Sequence, residues 1–257
     1  MNRMGKFLKS ACISLFLFGM TNTNVHAEEL MVSAAASLNN AYQEIASNFE
    51  KTHPSDKILF NFAASGVLLQ QITQGAPVDV FASADEETMD QAFAKNLIFP
   101  KSRVDFAYND LVLITPFDSN LKINELSDLN SIKIKKIAIG NPITVPAGRY
   151  TQQALENAGL WQNLQEKFIT TQNVRQALDY VNRNEVDAGF VYGSDAALMP
   201  NKIKTLLKLK LDKPVSYPIA IIRTTKHKLL ADSFIHFVTS AQGQQILKKY
   251  GFQITQP

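Results

Sequence analysis

The 257-residue sequence has only one cysteine and four histidines. The cysteine, Cys12, lies in an apolar run near the N-terminus. If the N-terminal segment with this run is cleaved off, the remaining chain has no cysteine. It can then form no disulfide and has no thiolate nucleophile and no cysteine-based metal site. His53, His227 and His236 do not show the spacing of metal ligands. These scarcities argue against thiol-based redox chemistry, cysteine catalysis and a zinc site.

Glycine and proline are also sparse, with 11 and 10 residues, which excludes collagen-like and low-complexity chains. The sequence lacks G-x-x-x-x-G-K-[ST], a G-x-G-x-x-G after a strand, H-E-x-x-H and G-x-S-x-G. It therefore carries none of these signatures of nucleotide binding, zinc proteolysis or serine hydrolysis. The 46% apolar and 19% charged residues are typical of a folded globular protein with one large or two small domains.

Residues 1–27 predict an export signal. Three basic residues precede an apolar run from Ala11 to Met20, and small residues offer a cleavage site after Ala27. The run is too short to span a bilayer as a stable helix, and no later run reaches about 18 apolar residues. A retained N-terminal anchor is the alternative to cleavage.

The positive charge of the chain is concentrated in this segment. It holds three of the 26 basic residues and none of the 23 acidic ones, so the remainder carries 23 of each sign. A chain with no surplus and no run of positive charge is not expected to bind nucleic acid or an anionic membrane.

Strand patterns alternate with amphipathic helix patterns along the rest of the chain. This alternation predicts an α/β fold with largely parallel sheets, in which ligands bind at the carboxyl ends of strands. The predicted strands are Leu30–Ala34, Ile58–Phe62, Val78–Ala82, Leu111–Thr115, Lys136–Gly140, Phe168–Thr171, Ala188–Tyr192 and Val215–Ile222.

Four strand-to-helix turns present small residues where a helix is predicted to begin: 35–37, 63–66, 145–148 and 173–174. The first backbone N–H groups of a helix lack internal partners and carry the positive end of the macrodipole. Together the four turns would form an anion site that needs no charged side chain. Ordinary N-capping is the alternative for each turn alone, and only their convergence in space separates the two interpretations.

Several motifs in one order resemble the periplasmic molybdate-binding proteins of ABC importers. They begin with Ala34–Ala41 (AAASLNNA), Phe62–Ser65 (FAAS) and Gly75–Phe81 (GAPVDVF). The second half adds Gly140–Pro142, Val145–Gly148 (VPAG), Asn173–Leu178 (NVRQAL), Gly189–Ala196 (GFVYGSDA) and Tyr250–Phe252. The resemblance covers essentially the whole chain after residue 27.

The resemblance implies a two-lobe periplasmic binding protein fold with two crossovers and the ligand in the cleft between the lobes. Lobe one would comprise residues 28–108 and 215–257, and lobe two residues 109–214. The implied protein is a periplasmic monomer that captures molybdate, and also tungstate, and delivers it to an ABC permease. It would be no enzyme and would have no cofactor or further metal site. The implied ligand-binding residues are Ser37, Ser65, Ala147, Val174 and Tyr192.

Two alternatives and one departure accompany this interpretation. A protein of the same fold could bind another oxyanion such as sulfate, and an exported hydrolase could use Ser37 or Ser65 as its nucleophile. Many relatives have a serine- or threonine-rich stretch where Gly66 and Val67 follow Ser65 here. We expect the backbone N–H of Gly66 to remain available for binding at that position.

Overall fold

Two mixed β-sheets, each covered by helices, organise residues 28–254, which are the residues that the computed structural model describes. The first sheet has six strands in the spatial order β11-β4-β10-β3-β1-β2, and the second has five in the order β7-β6-β8-β5-β9. The strands are β1 Glu29–Ala35, β2 Lys57–Ala63, β3 Val80–Ala82, β4 Val104–Asn109, β5 Leu111–Pro116, β6 Ile137–Gly140, β7 Phe168–Thr171, β8 Ala188–Tyr192, β9 Ile203–Lys208, β10 Val215–Ile221 and β11 Gln253–Ile254.

The helices divide between the two sheets, and we call each sheet with its helices the first-sheet lobe or the second-sheet lobe. The first-sheet lobe holds α1 Asn39–Thr52, α2 Ser65–Thr73, α3 Glu86–Ala94, α8 Lys228–Thr239 and α9 Ala241–Lys249. The second-sheet lobe holds α4 Pro146–Asn157, α5 Trp161–Leu164, α6 Val174–Asn182 and α7 Gly193–Ala196. None of the helices in residues 28–254 combines the length and apolarity that a membrane crossing requires. The predicted export signal lies outside the described residues.

The chain passes between the lobes twice. It leaves the first sheet at the end of β4, Asn109, and enters the second at Leu111. It returns between Lys208, the end of β9, and Val215, the start of β10. In the sheets, Val215 pairs with Asn109 and Leu111 pairs with Tyr192, so both crossings lie at the edge where the lobes meet.

The prediction of largely parallel sheets is wrong for the strands next to the crossings. β1 is parallel to β2 and β3, and β6 is parallel to β7 and β8. β10 runs antiparallel to β3 and β4, and β5 runs antiparallel to β8 and β9. The reason is topological: β5 and β10, like the short β11, begin at the cleft, where the remaining strands of their sheets end, so they must run away from it. The eight predicted strands are present, whereas β4, β9 and β11 were not predicted.

Local signals fix the ends of several helices as the sequence predicts. The Asp85 side chain accepts a hydrogen bond from the Thr88 N–H and so caps α3. Gly159 and Gly251 have φ values of 69° and 84° just after α4 and α9, a region that glycine occupies without steric cost. In α6, Val174, Ala177, Leu178 and Val181 are buried, which is the 3.6-residue spacing of a helix covering a sheet.

Two neighbouring carboxyl groups next to the second crossing give the fold a pH dependence. Burial and the adjacent Glu86 carboxylate raise the pKa of Asp105 to about 6, while Glu86 accepts a hydrogen bond from the Ser216 hydroxyl at 2.6 Å and pairs with Arg103. A carboxyl whose pKa is raised in the folded state contributes stability at low pH, and that contribution is lost as the pH rises through about 6.

We therefore expect Asp105→Asn to raise the free energy of unfolding at pH 7.5 by about 1 kcal/mol, allowing for solvent screening. The gain should vanish near pH 4, where the Asp105 carboxyl of the native protein is protonated. Denaturant unfolding across this range measures it, with the exposed Asp118→Asn as the control. A gain that does not change with pH would contradict the raised pKa of Asp105 as its cause.

Candidate functional site

The four predicted turns meet at one small cavity in the cleft between the lobes. The cavity has an accessible volume of only about 10 Å³, far below that of pockets that hold organic ligands. Its lining combines the ends of β1, β2 and β8 with the starts of α2, α4 and α6, the helical turn Ala36–Leu38 that precedes α1, and Ala84 after β3. The lining residues are Ala35, Ala36, Ser37, Ala63, Ala64, Ser65, Ala84, Val145, Pro146, Ala147, Asn173, Val174 and Tyr192.

All five residues that the resemblance implies as ligand-binding therefore line the same cavity. Ser37 and Ala147 lie in the first turns of helical segments, Ser65 and Val174 are the first residues of α2 and α6, and Tyr192 ends β8. Each is buried, with an exposed fraction of 4% or less. The four turns, which the sequence predicts separately, therefore converge in space on one cavity.

Backbone N–H groups at these helix starts are unpaired. Within residues 28–254, nothing accepts a hydrogen bond from the N–H groups of Ser37, Ser65, Ala147 or Val174. Three of the four segments also lack a capping side chain, since Ala35, Ala64 and Val145 occupy their N-cap positions. A buried N–H without a partner is unfavourable in a native protein, so four such groups in residues that line one cavity favour an acceptor ligand there.

Three hydroxyl groups complete the donor set. The Ser65 Oγ accepts a hydrogen bond from the Ala84 N–H at 3.0 Å, which leaves its own proton available. The Ser37 Oγ lies 3.0 Å from the Tyr217 Oη. The Tyr192 Oη donates to the Ala84 carbonyl over a long 3.4 Å contact. Burial raises the pKa of Tyr192 well above its ordinary value, so this phenol keeps its proton throughout the physiological range.

No charged side chain lines the cavity, although two buried carboxylates lie just behind it. Asp195 is fully buried, pairs with the Arg175 Nε at 2.5 Å, and accepts the Tyr192 N–H at 3.3 Å. Asp85 is paired with the Arg149 Nε at 3.4 Å. Burial raises the pKa of both carboxyl groups, and the neighbouring arginines oppose that rise. Each negative charge is thus matched locally, and the cavity lining itself carries no charged side chain.

The lobes are joined across the cleft by contacts beside these same residues. From α6, Arg175 donates to the Ser37 carbonyl at 2.9 Å and to the Asn40 Oδ1 at 2.8 Å. From α4, Arg149 pairs with Asp85 and with Glu87, the latter at 2.7 Å. These two arginines follow the cavity residues Val174 and Ala147 closely in sequence, so the contacts that hold the lobes together lie beside the cavity.

A third contact across the cleft involves Gly66, and it corrects one expectation. The Gly66 N–H donates to the Thr144 carbonyl of the other lobe at 3.0 Å, so it is not available to a ligand. A Cβ on Gly66 would lie 2.8 Å from that carbonyl oxygen and 2.9 Å from the Thr144 Cα. Glycine therefore permits the close approach of the two backbones at this point.

Sequence reasoning missed three residues of the surroundings: Ala84, Asn109 and Tyr217. Ala84 holds the Ser65 and Tyr192 side chains through its backbone, and a backbone role has no sequence signal. Asn109 and Tyr217 lie on the two crossover strands. The crossovers were predicted close to these positions, and a buried polar residue at a crossover is the signal that could have identified them.

Comparison with known proteins supports one family. Residues 30–253 match the bacterial extracellular solute-binding protein family. The chain is 37% identical to the molybdate-binding protein ModA of Escherichia coli over 241 residues, which cover 90% of this chain and 92% of that protein. It is 32% identical to ModA of Haemophilus influenzae, with coverage of 96% and 98%.

A solved structure agrees with these matches. The periplasmic molybdate-binding protein of Azotobacter vinelandii superimposes with a TM-score of 0.79 at 27% identity, covering 88% of this chain and 100% of that one. The two-lobe fold, the cleft cavity and the match along nearly the whole described chain lead to one conclusion. The chain belongs to the family of bacterial extracellular solute-binding proteins.

Proposed function

We propose that this protein captures molybdate, and also tungstate, in the cavity between its lobes and delivers it to an ABC permease. It acts as an exported periplasmic monomer, with the signal removed after Ala27, and performs no catalysis. The lobes divide as residues 28–108 with 215–257, and 109–214. The relatives named as molybdate-binding proteins support the ligand, and the family name supports the export.

The observation that carries the proposal is the convergence of seven neutral donors on one small cavity. Four are the backbone N–H groups of Ser37, Ser65, Ala147 and Val174, and two are the hydroxyls of Ser37 and Ser65. The seventh is the Tyr192 hydroxyl, which exchanges its long contact to the Ala84 carbonyl for the anion. Hydrogen bonds to a charged acceptor contribute about 1.5–3 kcal/mol each. A tetrahedral dianion offers enough lone pairs to accept all seven, and lobe closure removes it from water.

This donor set also favours fully deprotonated oxyanions. Molybdate, tungstate and sulfate only accept hydrogen bonds near neutral pH, whereas phosphate retains at least one O–H that needs an acceptor once buried. The carboxylate of Asp195 does not line the cavity and is engaged by Arg175 and the Tyr192 N–H. An unpaired buried O–H costs about 1–3 kcal/mol, so we expect phosphate to bind about ten- to a hundred-fold more weakly than its shape alone would allow.

Calorimetric titration of the purified protein with molybdate, tungstate, sulfate and phosphate in one buffer tests the proposal. We expect tight binding of molybdate and tungstate and little binding of phosphate. Tight binding of sulfate with no response to molybdate would favour the same-fold alternative, a sulfate-binding protein. Displacement of molybdate by phosphate at comparable concentration would show that an acceptor faces the ligand.

Ser65→Ala should weaken molybdate binding by about 1–3 kcal/mol, because it removes one donor to the anion and the acceptor of the Ala84 N–H. Ser33→Ala is the matched control. Ser33 is equally buried, on β1, and its hydroxyl has no partner within the described residues. If both variants bind molybdate like the parent, Ser65 does not donate to the ligand, and its assignment as a ligand-binding residue is wrong.

The hydrolase alternative has no support at the cavity. A serine nucleophile needs a base within hydrogen-bond reach, and no histidine, lysine or carboxylate lines the cavity beside Ser37 or Ser65. The hydroxyl of each is instead held by a hydrogen-bonding neighbour, Tyr217 or the Ala84 N–H. Turnover of a generic ester that Ser65→Ala abolishes would revive this alternative.

A further inference from the structure

The hydroxyl of Ser37 is the first member of a series of buried, hydrogen-bonded side chains that leads away from the cavity. Its Oγ lies 3.0 Å from the Tyr217 Oη, and either atom could be the donor at that distance. The Tyr217 Oη also lies 3.3 Å from the Asn109 Nδ2, and that nitrogen lies 2.8 Å from the Ser194 Oγ. All four side chains are buried, so the direction of each hydrogen bond is set by the protein rather than by water.

The orientation of the Asn109 amide is fixed by two backbone groups. Its Oδ1 accepts the Asp110 N–H at 2.9 Å and the Ser194 N–H at 3.3 Å. Backbone N–H groups can only donate, so the oxygen of the amide must face them and the NH2 group must face the other way. The two amide hydrogens then go to the two remaining neighbours, the Ser194 Oγ and the Tyr217 Oη.

The direction of the next bond follows from counting protons. Tyr217 accepts from Asn109, and its single proton has one other partner within the described residues, the Ser37 Oγ. Burial raises the pKa of Tyr217 well above its ordinary value, so the phenol keeps this proton. If the Ser37 hydroxyl donated to Tyr217 instead, the phenol proton would be buried without a partner, which is unfavourable.

We propose that Asn109 and Tyr217 are positioning residues that fix Ser37 as a donor to the bound anion. The directed chain runs from the Asn109 amide to the Tyr217 phenol and on to the Ser37 Oγ, so that the serine's own proton faces the cavity. The Ser65 hydroxyl is fixed as a donor in the same way, because its Oγ already accepts a hydrogen bond from the Ala84 N–H. The selectivity for deprotonated oxyanions is thus imposed from residues that do not touch the ligand.

The inference rests on the proposed oxyanion site and is tested by selectivity rather than by affinity alone. At pH 8, sulfate and hydrogen phosphate both carry two negative charges and differ mainly in the phosphate O–H. We measure their dissociation constants by competition against molybdate. In Tyr217→Phe, the Ser37 hydroxyl is free to turn and accept that O–H, so the preference for sulfate over hydrogen phosphate should fall about tenfold. A drop that is equal for both anions, or no change, would overturn the proposal.

A second variant reverses the direction of the hydrogen bonds between Asn109, Tyr217 and Ser37 without removing the Tyr217 hydroxyl. Asn109→Asp keeps the oxygen that accepts the Asp110 and Ser194 N–H groups but replaces the NH2 donor with an acceptor. Tyr217 then donates to the carboxylate and must accept from Ser37. The added charge affects two dianions equally and cancels in their ratio, so the same loss of preference is expected even if Tyr217→Phe folds poorly.

Tyr42→Phe is the matched control. Tyr42 is as buried as Tyr217, and its hydroxyl has no hydrogen-bond partner within residues 28–254. Its removal should leave both dissociation constants unchanged within about twofold, and a selectivity change there would overturn the proposal. Failure of the parent protein to bind molybdate would refute the proposed function. Binding with unaltered selectivity in both Tyr217→Phe and Asn109→Asp would refute only this inference.

Discussion

Arg175→Met should lower the free energy of unfolding by about 3–5 kcal/mol, the cost of leaving one member of a buried ion pair without its partner. Asp195 is fully buried, and the Arg175 Nε lies 2.5 Å from it. Methionine preserves the length and much of the packing of the arginine stem. For a chain of this size the expected drop in melting temperature is on the order of 10 °C, measurable by calorimetry or circular dichroism.

The pH dependence of this effect identifies its cause. Without Arg175, the buried carboxyl of Asp195 should have a pKa raised further than in the native protein. A raised native pKa means that stability is retained at low pH and lost as the pH rises, so the deficit should be larger at pH 8 than at pH 5. The double variant Arg175→Met with Asp195→Asn should recover most of the loss. The exposed Arg183→Met, just beyond the same helix, should change stability by less than about 0.5 kcal/mol.

Arg175→Met should also weaken molybdate binding, since the same guanidinium donates to Ser37 and Asn40 of the other lobe. The double variant separates the two effects. It removes the unpaired charge, so it should restore stability, but it cannot restore the contacts across the cleft. Recovery of both stability and affinity would contradict a role for Arg175 in closing the lobes.

Gly148→Ala is expected to reduce stability by about 3 kcal/mol or more, because backbone lies where the new methyl group would be. A Cβ on Gly148 would sit 2.0 Å from the Gly140 carbonyl oxygen and 2.5 Å from its carbon. Neither atom can rotate away, so β6 and α4 must separate, which is the costly case of overpacking. The displacement moves the adjacent Ala147 N–H from the cavity, and molybdate affinity should fall with stability.

Gly193→Ala provides the comparison. Its Cβ would come no closer than 3.6 Å to a neighbouring atom, an ordinary van der Waals contact, so we expect a change within about 0.5 kcal/mol. Denaturant unfolding and calorimetric titration of both variants measure the effects. Equal stability of the two variants would mean that α4 moves away from β6 without cost, contrary to the close packing described.

The sequence predicted the parts of the candidate site that depend on local chemistry. Small residues at helix starts can be recognised from the chain alone, and Ser37, Ser65, Ala147 and Val174 all occupy such positions. Their convergence could not be predicted from spacing, because it depends on where the chain crosses between lobes. The antiparallel direction of β5 and β10 was missed for the same reason, since alternating strand and helix patterns do not reveal where a strand begins relative to the cleft.

The residues behind the site were harder to predict for a different physical reason. Every residue of β10 is buried, so its sequence shows no alternation that would mark Tyr217 as facing Ser37. The two residues are 180 positions apart, and nothing local relates them. Arg175 had a visible place in the NVRQAL motif, but its pairing with Asp195 and its reach across the cleft are properties of the closed arrangement only.

The contacts that Gly66, Arg149 and Arg175 make across the cleft affect how fast a bound ion is released. Gly66, Arg149 and Arg175 take part in contacts that tie three segments of the first-sheet lobe to two of the second-sheet lobe, so a trapped ion leaves only after several bonds break together. Substitutions at these positions should therefore change the dissociation rate of the ion more than its association rate. A membrane partner that pulled the lobes apart slightly would break all three ties at once, and could unload the ion without competing for any of its oxygens.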